Sequence, residues 1–502
     1  MTHKIERYAL LHVADKTGIV ELAWALKELG FKFLADGAAA SALRQAEIEV
    51  TELSPADPTI LSAISAGQRS PGIQEHQKRR SLPIELVAVN FYPLAEIDSA
   101  KLPHKEALST INIEASALLR AAARNFRKVI CLCDPQDYGP VIESLRRHAD
   151  ASPARRQALA AKAFHYSAYY DSTVAQYLGG RWDKLPHELV FGLKKSSELA
   201  SGENRHQQGA LYALSGARPW GVNEAHLLYG PSISFNHYID LDAAWDLAGG
   251  FTQPACAIVK HGVPAAVAVS ENLAEATRLA YRGDPRGCLR GTAAVNREVD
   301  EEAASFFAEE VIGCIAAPGF SAKALTLLKA KKDIRLVTLP STLITAHELD
   351  LRSVAGGVLV QEKDHQALPE NLKASTRRAP NEVEMNSLRL AWRVAKHART
   401  YAAVICRGGQ TLAVASGQTS RLDAVRLALI KSRERHPIVA EAPPLVLASD
   451  GPLGVEHISE ALQGGIKAVI HTGGAGEDEE AAALCDQRKA SLILTGVRHF
   501  KH

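Results

Sequence analysis

An α/β protein is what the sequence predicts: a doubly wound parallel sheet at the amino-terminal end, then a larger part made of a repeated α/β unit. Three observations predict it. Short apolar runs alternate with helical patterns from the first residues onward, which is how a parallel sheet with crossover helices reads. Those runs are apolar without alternation, as strands covered on both faces must be. Finally, Ala257 to Ser270, AIVKHGVPAAVAVS, lines up without a gap against Ala403 to Ser416, AVICRGGQTLAVAS, so that Lys260-His261 faces Cys406-Arg407. A duplicated unit explains the echo, and so do two unrelated hairpins of like composition.

The elements follow in order. Tyr8 to Val13 is a strand, Asp15-Lys16-Thr17-Gly18 a loop, and Ile19 to Leu29 a helix with apolar Ile19, Val20, Leu22, Ala25 and Leu26 on one face. The unit recurs as Phe31 to Leu34 with a helix from Ala38, Leu86 to Asn90 with a helix near Ala115 to Arg124, and Val129 to Cys133 with a helix after Pro140. Loops after such strands commonly cradle phosphate with backbone N–H groups, and Ala14 to Gly18 and Ala35 to Ala40 are the candidates. Pro153 to Leu178 is helical in pattern, and Gly179 to Glu188 is the best linker. Two domains are expected, 1–180 and 190–502.

The most chemically suggestive stretch is Pro254 to Val269, PACAIVKHGVPAAVAV. It reads as a strand to Val259, a break at Gly262 and Pro264, and a strand from Ala265. Lys260 and His261 stand at the strand's end, where α/β proteins place catalytic groups. A plain solvated turn fits the same pair.

Composition narrows the class. The chain has 502 residues, 46% hydrophobic and 23% charged, as soluble globular proteins do. A net charge of +2 gives no reason to expect nucleic acid. No apolar window has the length of a membrane span and the start of the chain lacks a signal-peptide pattern, so a cytoplasmic protein is expected. Seven scattered cysteines fit reduced, buried thiols. Nineteen histidines include no HExxH arrangement, so no metal is expected. No GxGxxG follows a strand, which argues against a nucleotide-dependent dehydrogenase.

YALLHVADKTGIVELAWALKELGFKFLADGAAASALRQAEIEVTELS, VAVNFYPL and LLRAAARNF, together with PACAIVKH, SGQTSR and the terminal TGVRHFKH, resemble the AICAR transformylase/IMP cyclohydrolase family over nearly the whole chain. The resemblance implies a methylglyoxal-synthase-like first domain that closes the purine ring of formyl-AICAR to give IMP. It implies a second domain of two cytidine-deaminase-like subdomains that transfers a formyl group from 10-formyltetrahydrofolate, a co-substrate, to AICAR. A cytoplasmic homodimer with transformylase sites at the subunit interface is implied as well.

Several family positions are altered in the first domain. Ala14 replaces the serine of SDKTG, Ala35-Asp36-Gly37-Ala38-Ala39-Ala40 replaces STGGTA, and Asn112-Ile113-Glu114-Ala115-Ser116 replaces DIGGP. Ala66 to Gly72 offers no counterpart of GRVKTLHP. The new carboxylate of Asp36 opposes a phosphate by several tenths to a few kcal/mol, and ring closure is expected to be weak or absent. Lys16, Thr17, Tyr92, and Arg124 in place of a lysine, retain something of the family's chemistry. Asp15 or Thr17 also fits helix capping.

In the second domain the resemblance makes His261 the base, with Lys260 as its cationic partner; an imidazole suits proton removal near neutral pH. Arg498 is the retained phosphate fork. Gln418, Ser420 and Arg421 add donors or cap the helix expected from Leu422. Asn204, Arg205 and His206 stand in the counterpart of RYGENPHQ, whose arginine is Ala200 here. Arg286 to Gly291 replaces SAFGG, Tyr401 an asparagine, Gly451 to Gly454 a longer FFPFPDG, and Glu477 the arginine of PGGSIRDEE. The alternative expectation is a non-catalytic relative that binds a nucleotide or scaffolds a subunit; binding of AICAR and a reduced folate separates the two.

Overall fold

The strand Arg7–Val13 (β1) is buried from Ala9 to Val13 on both faces, as a run that is apolar but for His12 favours. In the computed structural model, which describes residues 6–54, 57–65, 83–92, 104–179, 185–215, 220–340, 349–436 and 442–502, β1 is the middle of a five-stranded sheet. Its neighbours are Phe31–Ala35 (β2), Val50–Glu52 (β3), Ile84–Asn90 (β4) and Ile130–Leu132 (β5), in the order β3-β2-β1-β4-β5, all parallel. The chain leaves β1 toward β2 and β3, then returns to β4 and β5 on the other side. The carboxyl ends of β1 and β4 therefore flank the point where strand order reverses, the place where such sheets bind ligands.

Helices Ile19–Glu28, Gly37–Gln45, Ile113–Arg124, Tyr138–His148 and Pro153–Gly179 surround this sheet. Two boundaries differ from expectation. Gly37 to Ala40 is the first turn of a helix rather than a loop, with Asp36 as its N-cap. Pro140 lies inside the first turn of its helix, where the N–H it lacks has no helical partner to lose. Ala66 to Gly72, and residues 180–184 of the expected linker, lie outside the described residues.

The chain divides into two compact units, Met1–Lys194 with Tyr212–Arg218, and Lys195–Leu211 with Pro219–His502. A ribbon of Leu193–Leu199 (β6) and Gly209–Leu214 (β7) carries the chain from one into the other. The second unit contains His226–Tyr229 (β8), Ala255–Lys260 (β9), Val263–Val269 (β10), Thr292–Val295 (β11), Cys314–Ala317 (β12) and Arg335–Thr338 (β13). A separate hairpin of Leu349–Val354 (β14) and Gly357–Glu362 (β15) follows. Ala403–Arg407 (β16), Gln410–Ala415 (β17), Leu445–Ser449 (β18), Ile466–His471 (β19) and Ser491–Leu494 (β20) complete the unit.

Eleven of these strands form one sheet, β20-β19-β18-β16-β17-β10-β9-β11-β12-β13-β8. About its centre, β17 against β10, the order mirrors itself: an antiparallel hairpin, an antiparallel neighbour, then two strands parallel to that neighbour. Each hairpin skips one residue at the same place, Ala265 in β10 and Leu412 in β17. This corrects the ungapped match of the sequences. Lys260 pairs with Val263 and Arg407 with Gln410, so Arg407 holds the place of Lys260 and Gly408 that of His261. Pro264 is part of β10 rather than a break, tolerated because the bulge lies beside it.

Candidate functional site

At the switch point of the first unit, Asn90 closes the loop after β1. Its Oδ1 accepts the N–H groups of Ala14 at 2.7 Å and Asp15 at 2.8 Å, and its amide donates to Asp15 O at 2.9 Å. Thr17 donates both its N–H and its hydroxyl to Asp15 Oδ1, at 2.9 and 2.7 Å; these bonds hold the Asp15 carboxyl below its ordinary range. Asp15 therefore forms a turn ahead of the helix, whose N-cap is Gly18. Lys16 is exposed beside it. Tyr92, half exposed, follows the end of β4. Arg124 lies eleven residues beyond Ile113 on one helix, about 16 Å from its start, and so at the opposite end from the next cluster.

That cluster joins residues remote in sequence. Asp36 makes no capping bond to its own helix; its Oδ2 lies 2.7 Å from Nδ1 of His12. Asn112 Oδ1 accepts the N–H of Ala115 at 2.8 Å, which turns its amide to Nε2 of His12 at 2.9 Å. Nδ1 of the same ring lies beside the Asp36 carboxylate without a hydrogen bond to it. The carboxylate already meets the positive end of the helix Gly37–Gln45. A further anion about 5 Å away would be opposed by about 3 kcal/mol per unit charge at an effective dielectric of about 20.

In the second unit, His261 and Gly262 form the two-residue turn between β9 and β10, with φ of 57° and 69°. Both central residues of such a turn need positive φ. Histidine is among the residue types that adopt this conformation more readily than most, and the conformation is not evident from the sequence pattern. The helix Phe235–Gly249 secures the turn: Asp240 Oδ1 accepts the N–H of Gly262 at 2.6 Å. Burial raises the Asp240 carboxyl, and the Gly262 bond together with the nearby His261 and Lys260 charges opposes that rise. One helical turn earlier, Asn236 Nδ2 donates to Glu203 O at 3.3 Å, bringing the loop of exposed Asn204, Arg205 and His206 to the same helix. Lys260 Nζ donates to Leu289 O at 2.8 Å, so the loop Arg286 to Gly291 is its neighbour.

A second group forms where β17, β18 and β20 end. The Arg421 guanidinium lies 4.2 Å over the ring of Tyr401 and 5.7 Å from that of Phe500, and Arg498 lies 4.4 Å over Phe500. Two guanidinium groups thus share one aromatic ring. Burial, foremost, and the charge of Arg498 lower the pKa of Arg421. Arg421 also donates to Pro452 O. Ser420 accepts the N–H of Asp423 at 3.2 Å and is a helix cap. Gln418 pairs through its backbone with Tyr401 and donates its amide to Ser416 O at 3.0 Å. Glu477 accepts the N–H of Val455 at 2.8 Å, capping another helix.

Strand directions put both groups on the same edge of the sheet, since β9, β17, β18, β19 and β20 all run the same way. From β9 to β16 are three strand spacings, about 14 Å. Sequence reasoning passed over Asp240, which nothing but the fold brings to the turn, and His471 at the end of β19. His471 is fully buried, its Nδ1 accepting from Gly473 N at 2.9 Å, and burial pushes it down to about 4. An unfolded histidine titrates near 6.5, so the unfolded chain binds the extra proton between about pH 6.5 and 4. Stability should fall as pH drops through that window and level off below it. Urea midpoints at pH 7, 5.5 and 4.5 should show that His471→Gln removes part of the fall; equal slopes in both proteins would contradict the assignment.

Among the described residues no cluster of His, Cys, Asp and Glu is arranged to hold a metal ion, and no helix is long and apolar enough to cross a membrane.

The family model of the AICARFT/IMPCHase bienzyme matches residues 122–431, and relatives align end to end. The bifunctional purine biosynthesis protein PurH of Persephonella marina is 34% identical over 518 residues, covering 99% of this chain and all of that one. The chain belongs to the AICARFT/IMPCHase bienzyme family. PurH of Anoxybacillus flavithermus is 35% identical over 520 residues, with 99% of this chain and 100% of that one covered. A crystal structure of ForH shares 30% identity, covering 35% of this chain and 100% of that chain at a TM-score of 0.30. Within the AICARFT/IMPCHase family frame, both candidate groups of the second unit lie in stretches that carried the sequence resemblance.

Proposed function

We propose that the second unit transfers a formyl group from 10-formyltetrahydrofolate to the amine of AICAR, and that the first unit has lost most of its ring closure to IMP. The observation that carries the first half is His261, held at positive φ on the sheet edge that also bears the Arg421–Arg498 pair. The amine of AICAR is conjugated with its ring and needs a base; His261 takes its proton. Lys260 supplies positive charge beside the base, and the guanidinium pair binds the nucleotide phosphate. The mirrored sheet order and matching bulges support two cytidine-deaminase-like subdomains. A homodimer with transformylase sites at the subunit interface is part of this reading because the family resemblance implies it. We assign the first unit to a methylglyoxal-synthase-like fold and the protein to the cytoplasm.

Purified protein should convert AICAR and 10-formyltetrahydrofolate to formyl-AICAR, and formyl-AICAR to IMP hardly faster than buffer. Arg498→Ala should raise the KM for AICAR by about tenfold or more through loss of one charge-assisted contact, with kcat changed far less. An unchanged KM would remove Arg498 from the phosphate site.

A second reading draws on Tyr401, whose ring under Arg421 fills space that a smaller side chain would leave open. It makes the chain a non-catalytic nucleotide-binding or scaffolding relative. Calorimetry that detects AICAR but no reduced folate, with no turnover, would favour it.

A further inference from the structure

Strands β18 and β19 lie side by side and parallel, so the loops after them, Asp450 to Gly454 and Thr472 to Glu477, leave the sheet at the same edge. His471, the last residue of β19 and fully buried, stands between the two. Its Nδ1 accepts the N–H of Gly473 at 2.9 Å and that of Leu453 at 3.4 Å. Backbone N–H groups can only donate, so Nδ1 carries no proton and the neutral ring holds its own on Nε2. Burial keeps the ring neutral by pushing it down to about 4. The Leu453 N–H shares a planar trans peptide unit with the carbonyl of Pro452, and the two groups of such a unit point in opposite directions. That carbonyl accepts from Arg421. A Cβ on Gly451 would meet Arg421 Nη2 at 2.6 Å, so the backbone of this loop is also the surface on which the guanidinium rests.

We propose that His471 is a positioning residue for the phosphate clamp: by holding the Pro452–Leu453 peptide from its N–H side, it aims the carbonyl that seats Arg421. The inference rests on the phosphate role given above to Arg421. A guanidinium binds an oxyanion bidentately only when its fork is held in place. The rings of Tyr401 and Phe500 attract the cation without fixing its rotation over their faces, whereas a carbonyl accepts along a direction. His471 also ties in the second loop through Gly473. Glu477 crosses back from that loop to accept the N–H of Val455 at 2.8 Å, so the two loops are braced as a pair.

Hydrogen–deuterium exchange on the ligand-free full chain, with AICAR calorimetry and formyl-transfer kinetics beside it, tests the proposal. His471→Leu removes the acceptor, while His471→Asn puts a carbonyl oxygen near the place of Nδ1. In His471→Leu the peptide that carries Leu453 and Gly454 should exchange about tenfold faster or more than in the unaltered protein. The dissociation constant and KM for AICAR should rise about fivefold or more, with kcat changed by less than about twofold. His471→Asn should bring exchange and affinity back to within about threefold of the unaltered values. A residue that merely fills the core predicts the opposite order, since leucine fills an apolar space better than asparagine. Unchanged exchange in His471→Leu would overturn the proposal. So would faster exchange with unchanged AICAR affinity, or a greater loss in His471→Asn than in His471→Leu. If His471→Leu does not fold, His471→Gln, whose amide reaches past Nδ1, takes its place with the same expected results. An unaltered protein that binds no AICAR counts against the phosphate role of Arg421; the exchange rates still support or overturn the hold of His471 on the loop.

Discussion

His261→Asn should lower kcat for formyl transfer to AICAR by about 10²- to 10⁴-fold, the usual worth of a positioned general base, with KM for AICAR nearly unchanged. Asparagine is chosen because it tolerates the left-handed conformation that His261 adopts, φ 57°, so the turn survives and only the base is removed. Alanine would mix loss of the base with strain in the turn. Asp240→Asn makes the complementary test: the acceptor for Gly262 N–H remains while the negative charge beside Lys260 and His261 goes. Its effect should appear as a shift of the kcat–pH profile rather than as a collapse of kcat. Full activity in His261→Asn would show that another group takes the proton.

The largest expected effect on stability comes from Arg378→Ala. Glu384 is fully buried in the first turn of the helix Glu382–His397. One carboxylate oxygen accepts the N–H of Asn381 at 2.9 Å, and the other accepts from Arg378 at 2.5 Å. Arg378 also donates to Ser491 Oγ at 2.5 Å and Lys467 O at 3.3 Å, tying β19 and β20 to that helix. Removing the guanidinium strands a buried carboxylate, a loss that runs to about 3–5 kcal/mol for enclosed pairs. The Arg378 side chain is 34% exposed, so water moderates the loss and about 3 kcal/mol is expected. Urea denaturation measures it. Arg378→Ala combined with Glu384→Gln should recover part of the loss, because the stranded charge is then gone; no recovery would mean that the bonds to Ser491 and Lys467 dominate.

Much of the fold was legible in the chain because its signals are local. Ala9 to Val13, apolar but for His12, and Ala255 to Val259, apolar throughout, proved to be strands buried on both faces. Ile19, Leu22, Ala25 and Leu26 recur at helical spacing and are the buried face of their helix. Boundaries slipped where the backbone, not the side-chain pattern, decides: the helix after β2 begins at Gly37, inside the stretch read as a loop and one residue before the expected Ala38, and the turns His261-Gly262 and Gly408-Gly409 set the correspondence of the two hairpins one residue away from the sequence match.

Sites were less legible, and for a physical reason. Lys260-His261 and the arginines of SGQTSR and TGVRHF stand out by residue type, so the chain alone nominates them, and family resemblance says what chemistry to expect. Whether a nominated side chain is engaged depends on neighbours distant in sequence. Ser420 and Glu477 turned out to hold helix ends. Asp36, read only as a new charge, is the partner of His12, which in turn meets Asn112 a hundred residues away. Asp240 reaches the His261 turn only because its helix packs on β9. By itself the sequence determined the family, the alternation of strands and helices, and the residue types available for chemistry, since each of these is written in local pattern. Only the tertiary structure decided which of those residues meet, because a hydrogen bond of 2.6 Å or a guanidinium over a ring depends on positions in space that chain order does not encode.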